Sequence, residues 1–151
     1  MWSKIFLFVV RTLVFGALFL STAFPARAVE RNLRISAPTA AAAEKDVEIT
    51  LSASTDAGKG ERIGFLHAES SIDGGKSWAA LCYLDNSGAT VLRVFTVKAG
   101  APGSKLFVRV RAAFRGGLAG DVDYNGAAIR WKDTWEDWGQ PPAKIATVVI
   151  R

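Results

Sequence analysis

Aromatic and acidic side chains are concentrated in residues 116–142, near the end of the chain. The tryptophans of this stretch are spaced by four and then three residues, which places them on one face of a short helix. Indole rings stack on sugar rings and are frequent hot spots in protein interfaces. An alternative is structural, with the indoles closing one end of a hydrophobic core. The candidate binding residues are Trp131, Trp135, Trp138, Tyr124, Asp133, Glu136 and Asp137.

A second candidate site in the same stretch involves oxygen ligands for a cation. Asp121, Asp123 and Asn125 occupy positions 1, 3 and 5 before Gly126, as at the start of an EF-hand calcium loop. Position 12 of such a loop carries a bidentate acid, and here it is Lys132. We therefore expect a solvated turn rich in Asp and Asn, with a bound calcium ion as the alternative, and no other cofactor.

Residues suited to catalysis are scarce. His67 is the only histidine and Cys82 the only cysteine, so the chain offers no histidine cluster for zinc. It also contains no Gly-x-Ser-x-Gly elbow and no phosphate-binding glycine loop. The acids that lie close together crowd one loop, which leaves little of a small domain for a substrate cleft. The sequence predicts a protein that is not an enzyme.

The N-terminus has the pattern of an export signal. Lys4 precedes an apolar stretch that Arg11 interrupts, and residues 26–28 read Ala-Arg-Ala. A positive start, an apolar region and a small-x-small exit predict a signal peptide at residues 1–28, cleaved after Ala28. The alternative is an uncleaved anchor, but neither apolar piece approaches the ~20 residues of a spanning helix. We expect an exported protein, periplasmic or extracellular, without membrane insertion after cleavage.

Charge and length limit what the remaining residues 29–151 do. The whole chain has a net charge of +5, from 19 basic and 14 acidic residues. Three of the basic residues and none of the acids lie in residues 1–28, so 16 basic residues face 14 acids and the net charge falls to +2. The remaining Lys and Arg are dispersed along the chain, which argues against nucleic acid as a partner. A chain of this length forms one domain with its own core.

Hydrophobic residues in the part after the signal recur mainly with a period of two. The alternation is clear at residues 47–53 and clearest at residues 106–114, where Arg109 and Arg111 interrupt an apolar row. Short runs of this kind are separated by turn signals such as Asp73-Gly74-Gly75. The pattern predicts an all-β fold, an antiparallel immunoglobulin-like sandwich of about seven strands. Residues 40–43 are predicted as loop, and residues 116–142 as a long loop before the last strand.

Two short motifs carry a resemblance to known modules. Ser71, Asp73, Gly75 and Trp78 match the Asp-box pattern Ser-x-Asp-x-Gly-x-x-Trp, whose role is a structural turn. The same segment, together with residues 106–112 and the glycines that follow, resembles fibronectin type III and related immunoglobulin-like modules of bacterial exported proteins. The resemblance implies a β-sandwich in which residues 29–151 form one domain.

The expected function follows from the signal, the sandwich pattern and the long loop. We expect a non-catalytic exported immunoglobulin-like module that mediates protein–protein interaction at the cell envelope or outside the cell. Its partner would be an unidentified envelope or extracellular protein. The alternative is a carbohydrate-binding module that binds a glycan with the tryptophans of the long loop.

Overall fold

The computed structural model describes residues 28–85, 87–131 and 141–151, and these residues form strands, turns and loops without a helix. The strands are β1 (Arg31–Ser36), β2 (Ala40–Ala41), β3 (Asp46–Thr55), β4 (Arg62–Ser71), β5 (Ala79–Asp85), β6 (Thr90–Lys98), β7 (Lys105–Arg115) and β8 (Lys144–Ile150). The all-β prediction is therefore confirmed for this part of the chain.

Two sheets make up the fold, with strand orders β1-β3-β6 and β2-β8-β7-β4-β5. All neighbours are antiparallel except β2, which pairs in parallel with β8. The two residues of β2, Ala40 and Ala41, were predicted as loop, and this detail is wrong. They form a strand because Val149 and Arg151 donate backbone hydrogen bonds to Thr39 and Ala41, at 3.0 and 2.9 Å. A pairing this short produces no periodic signal in the sequence.

The core lies between the two sheets and is built from alternate residues of their strands. Side chains of a strand point to opposite faces in turn, so an apolar residue at every second position creates one apolar face. The fully buried core side chains include Leu33, Ile49, Leu51, Leu66, Leu106, Val108, Val110 and Val148. Because this alternation is local, the positions of the long strands follow directly from the sequence.

Strand β4 is buried on both faces, unlike a strand with one face in water. Phe65 and His67 point away from the core, yet they are only 4% and 8% exposed. Ile129, from the segment after β7, packs with Phe65 and Ala113 in a second small hydrophobic cluster. The outer face of the five-stranded sheet is therefore partly covered by the chain that follows β7.

Residues 116–131, predicted as part of a long loop, are closely integrated with the sandwich. Val122 exchanges backbone hydrogen bonds with Phe114 at 2.8 and 2.9 Å and forms a second bridge with Ala128. Its side chain is 2% exposed and belongs to the main core. We call residues 116–142, between β7 and β8, the excursion; its described part, residues 116–131, is thus part of the fold rather than an appendage to it. Among the described residues, no helix is long and apolar enough to cross a membrane.

Candidate functional site

The outer face of the five-stranded sheet brings together aromatic rings and arginines from three strands and the excursion. Tyr83 of β5 is opposite His67 of β4, and His67 is opposite Arg111 of β7. Because outward positions alternate, the residues two positions away along each strand lie on the same face. We call this surface the aromatic–arginine face, made of Phe65, His67, Glu69, Tyr83, Arg109, Arg111, Arg115 and Trp131.

Phe65 is the centre of the aromatic part. Its ring centroid lies 5.3 Å from that of Tyr83 and 6.4 Å from that of Trp131, both in edge-to-face geometry. The His67 ring lies 6.2 Å from it. Such tilted and edge-on arrangements are the favourable ones for aromatic pairs. Phe65 is buried, whereas Tyr83 is 57% and Trp131 is 39% exposed, so two aromatic rings face solvent on a buried aromatic base.

Trp131 is held in place by hydrogen bonding as well as by packing. Its indole Nε1 donates to Oδ2 of Asp121 at 2.6 Å, and Nη2 of Arg115 donates to the same oxygen at 2.9 Å. The Arg115 guanidinium carbon lies 5.5 Å from the centroid of the indole ring, within cation–π range. The orientation of this exposed indole is therefore fixed before any ligand arrives.

Arg115 reaches Asp121 because β4 leaves room for it. A Cβ on Gly64 would lie only 2.2 Å from Cγ of Arg115, so any larger residue would displace that side chain. The register of β4 against β7 also shifts between Ile63 and Phe65. A glycine at an irregular point in the strand is what allows a neighbouring side chain to cross it.

Charge on the face is dominated by arginine. Glu69 accepts a hydrogen bond from Nε of Arg109 at 2.5 Å and lies 3.6 Å from Nη1 of Arg111. Burial raises the pKa of Glu69, but the hydrogen bond from Arg109 and the nearby positive charges lower it below its ordinary value. Burial lowers the pKa of Arg111, and Arg109 adds to that effect. Two guanidinium groups thus share one carboxylate.

His67 completes the charged part of the face. Its Nδ1 lies 3.9 Å from Oε2 of Glu69. Burial lowers the pKa of His67 below its ordinary value, and the two arginines act in the same direction, against the effect of Glu69. A histidine with a lowered pKa is neutral near pH 7, so the arginines keep the face positive.

The Asp73 turn is held by the aspartate side chain. Oδ1 of Asp73 accepts hydrogen bonds from Oγ of Ser71 at 2.7 Å and from the backbone N–H groups of Lys76 and Ser77, both at 3.0 Å. Oδ2 accepts a further bond from Oγ of Ser77. These donors, the Ser77 hydroxyl first, hold the pKa of Asp73 far below its usual range. The carboxylate acts as an acceptor that closes the turn.

The glycines and the tryptophan of this turn have distinct roles. Gly74 and Gly75 have φ values of 80° and 85°, in the left-handed region that glycine adopts readily. Nε1 of Trp78 donates to the carbonyl of Gly75 at 3.1 Å. The Arg109 guanidinium carbon lies 3.8 Å from the centroid of the Trp78 ring. The turn therefore also positions an arginine of the aromatic–arginine face.

The proposed calcium ligands direct their carboxylates to different partners. Asp121 is bonded to Arg115 and Trp131. Asp123 is 4% exposed, and its Oδ1 accepts the backbone N–H groups of Asn125 and Ala127 at 2.7 and 3.0 Å. No group of three or more His, Cys, Asp or Glu suited to a metal occurs among residues 28–85, 87–131 and 141–151. Calcium binding here stays a prediction.

The other predicted binding residues are divided between two regions. Tyr124 packs against the main core, and Nζ of Lys144 lies 4.7 Å from its ring centroid. Trp131 belongs to the aromatic–arginine face. Five of the predicted residues lie outside the described residues: Trp135, Trp138, Asp133, Glu136 and Asp137.

Most of the aromatic–arginine face was not predicted from sequence. Phe65, Tyr83 and Arg111 come from three different strands, and nothing in the linear order indicates that they are neighbours. The signal available in the sequence is the alternation of Arg109 and Arg111 with apolar residues in β7, which indicates only that one face of this strand is polar. The chain matches no known family model and no curated protein. Because one fold hosts many functions, it is the geometry of its sites that bears on function.

Proposed function

We propose that this chain is a non-catalytic, exported immunoglobulin-like module that binds another protein at the cell envelope or outside the cell. Leaving out the two-residue β2, seven main strands divide so that β1, β3 and β6 face β4, β5, β7 and β8. In a constant-type immunoglobulin sandwich the fourth strand joins the first sheet. Here the fourth main strand, β5, joins the second sheet, an arrangement that supports likeness to a fibronectin type III module.

The observation that carries the proposal is the state of Trp131 on the aromatic–arginine face. The side chain is 39% exposed, yet Asp121 and Arg115 fix its orientation. Tyr83, which is 57% exposed, adds a second aromatic ring nearby. Trp, Tyr and Arg are the residue types enriched in the hot spots of protein interfaces. A fixed side chain also loses little conformational entropy on binding, which favours affinity.

The alternative proposal is a carbohydrate-binding module that uses the tryptophans of residues 116–142. An exposed indole next to a carboxylate favours this alternative, because the ring stacks on a sugar and the carboxylate accepts hydroxyl groups. The carboxylate next to Trp131 is that of Asp121, and it already accepts hydrogen bonds from the indole and from Arg115. That occupied carboxylate favours a protein partner over a glycan.

A comparison of Trp131→Ala with the wild type tests both proposals. The purified protein is used as bait in an extract of the cell envelope and on a glycan array. We expect one or more proteins to be retained by the wild type, and Trp131→Ala to weaken binding by about 2 kcal/mol or more, as at a hot spot. Leu118→Ala is the matched control, because Leu118 is 90% exposed and is not one of the residues of the aromatic–arginine face.

Melting temperature separates a binding defect from a folding defect. Retention of the partner by Trp131→Ala at wild-type affinity would contradict the proposed role of this residue. Glycan binding that Trp131→Ala abolishes, with no retained protein, would favour the carbohydrate alternative. Absence of any protein or glycan ligand would overturn both proposals.

A further inference from the structure

Among the described residues, strand β6 has no neighbouring strand on one side, and its pairing with β3 shows which backbone groups face outward. Ala99 donates a backbone hydrogen bond to Lys45 at 2.8 Å, and Thr55 donates one to Ala89 at 3.0 Å. Between these two pairs the register of β3 and β6 is unbroken. In an antiparallel ladder, hydrogen-bonded pairs alternate with pairs whose N–H and C=O groups point away. The odd-numbered residues of β6 therefore bond to β3, and the even-numbered residues point to the free edge.

The outward groups belong to Thr90, Leu92, Val94, Thr96 and Lys98, all of which are exposed. In the described part of the chain, one of these outward backbone groups accepts a hydrogen bond: Nη1 of Arg93 donates to the carbonyl of Leu92 at 2.8 Å. Natural edge strands are usually protected by bulges, prolines or short length. β6 has nine residues, no proline and an unbroken register. The edge strand β5 of the other sheet, by contrast, has a register irregularity within its antiparallel pairing with β4.

A groove lies beside the end of this edge, in the opening between the two sheets. Its volume is about 400 Å³, and it is lined by Val97 and Lys98 of β6 and, across the opening, by residues of β4, the Asp73 turn and the start of β5. Those residues are Ser70, Ser71, Ile72, Ser77 and Ala79. A strand added next to β6 would point every second side chain towards the space between the sheets. The groove thus offers room for an inward side chain of such a strand.

Charge on β6 is of one sign. Residues 90–98 include Arg93 and Lys98 and no acid. Lys98 is opposite Asp46 of β3, whereas Arg93 is opposite Leu51. In the described part of the chain Arg93 makes no salt bridge, and its guanidinium turns back to its own strand. An incoming backbone N–H would replace that guanidinium at the Leu92 carbonyl and free it for a carboxylate.

We propose that the β6 edge binds an extended, acidic segment of another protein, which adds to the β1-β3-β6 sheet as a fourth strand. The segment would have an Asp or Glu near Arg93 and a small apolar or hydroxyl side chain in the groove next to Val97. Main-chain hydrogen bonds supply affinity in this mode of recognition, and alternate side chains supply specificity. This inference rests on the proposed function as a protein-binding module, but it concerns a surface separate from Trp131.

A second copy of the chain fits the edge less well. In a β6–β6 pair, the inward side chains of the added strand would be those of Val91, Phe95 and Val97. These side chains already pack in the core of their own sandwich, so none remains to fill the groove. Arg93 of each copy would also meet a strand without an acid. The groove and the charge both favour a different chain as the occupant.

Peptide selection with a proline variant tests the inference. A phage library of random 12-residue peptides is selected on the purified protein, and binders are synthesised. We expect binders that alternate apolar residues and contain an acid, and we expect Val94→Pro to weaken them about tenfold or more by removing an edge N–H group. Proline is tolerated at edge positions whose N–H faces solvent. Val94→Thr is the matched control, since it keeps that N–H and should bind like the wild type.

Three further measurements keep the test decisive if Val94→Pro does not fold. N-methylation of alternate residues in the synthetic peptide should abolish binding in one register only, because it removes donors from the ligand side. Arg93→Glu should weaken acidic binders about tenfold and lose their salt dependence. In the wild type, amide hydrogen exchange should slow at even-numbered residues of β6 when peptide is added.

Other outcomes would overturn the inference. These are a failure to enrich any peptide, binding that N-methylation and Arg93→Glu leave unchanged, and a dimer at micromolar concentration that Val94→Pro disrupts. If a retained envelope protein is lost with Trp131→Ala while the β6 variants bind it normally, the proposed function stands and this inference fails.

Discussion

Glu61 is a buried carboxylate that links four segments of the chain. Its oxygens accept hydrogen bonds from Nε and Nη2 of Arg31, both at 2.7 Å, and from Oγ1 of Thr55 at 2.6 Å. A Cβ on Gly117 would lie 2.6 Å from Oε2 of Glu61, so the excursion after β7 packs directly on this group. A bidentate guanidinium–carboxylate pair of this kind is both strong and directional. It joins β1, the end of β3, the start of β4 and residue 117.

Removing one partner of this pair should be costly. Glu61 is 5% exposed, and loss of one partner of a buried ion pair costs about 3–5 kcal/mol. We expect Glu61→Ala to lower the free energy of unfolding at pH 7 by that amount in a urea titration. Glu48→Gln on the exposed face of β3 is the control and should have little effect.

The pH dependence of stability should show the same group. Burial raises the pKa of Glu61, but the hydrogen bonds from Arg31 and Thr55 lower it, and the net change is a pKa below the ordinary 4.5. A lowered pKa in the folded state stabilises the fold above pH 4.5 and loses that contribution as the pH falls through the folded-state value. The free energy of unfolding of Glu61→Gln should therefore fall less than that of the wild type between pH 5 and pH 3. Urea titrations at intervals of about 1 pH unit measure this difference. Equal acid sensitivity would contradict the assignment.

At the scale of the elements, residues 116–131 behave as an extension of β7. Val122 enters the main core, Asp123 closes a turn through the N–H groups of Asn125 and Ala127, and Ile129 covers Phe65. A buried carboxylate that accepts backbone N–H bonds stabilises the turn in its charged form. The core contact of Val122, the Asp123 turn and the packing of Ile129 therefore fix where the segment positions Trp131.

We expect residues 116–131 to adopt this conformation without calcium. We expect millimolar calcium to leave the melting temperature unchanged, because the carboxylates of Asp121 and Asp123 already accept hydrogen bonds from protein donors. Asp123→Ala should lower the melting temperature equally with and without calcium. A rise in melting temperature with calcium that Asp121→Ala abolishes would instead support the EF-hand-like alternative.

At the scale of the whole molecule, the predicted export would determine the environment in which the domain acts. The predicted signal peptide at residues 1–28 lies outside the described residues apart from Ala28. Residues 29–30 precede β1 directly, so cleavage after Ala28 would leave the first strand intact. With one cysteine, an exported form relies on its hydrophobic core rather than on an internal disulfide.

N-terminal sequencing of the protein from the extracytoplasmic fraction checks this prediction. We expect the sequence to begin at Val29, because the Ala-Arg-Ala triplet ends there. Ala28→Asp is a suitable variant, since a small residue is needed just before the cleavage site. A mature chain that begins at Met1 and requires detergent for extraction would contradict cleavage and favour the anchor.

Local patterns made much of the fold predictable. An alternation of apolar and polar residues depends only on which face of a strand each side chain takes, so the long strands and the all-β class followed from the sequence alone. Turns such as the one at Asp73 were also indicated, because a short Asp-Gly-Gly segment restricts the local backbone. Trp131 was named as a candidate binding residue from its spacing to Trp135 and Trp138 and from the aromatic and acidic content of residues 116–142.

Only the tertiary structure decided which strands are neighbours, and with that the composition of the surfaces. Phe65, Tyr83 and Arg111 meet because β5, β4 and β7 pair side by side, and no local signal specifies those pairings. The free edge of β6 likewise depends on its being the last strand of its sheet. Val122 illustrates the same limit. It is buried because the chain after β7 folds back and places its side chain in the main core. Periodicity fixes the face of each strand, whereas packing between distant segments fixes what that face contacts.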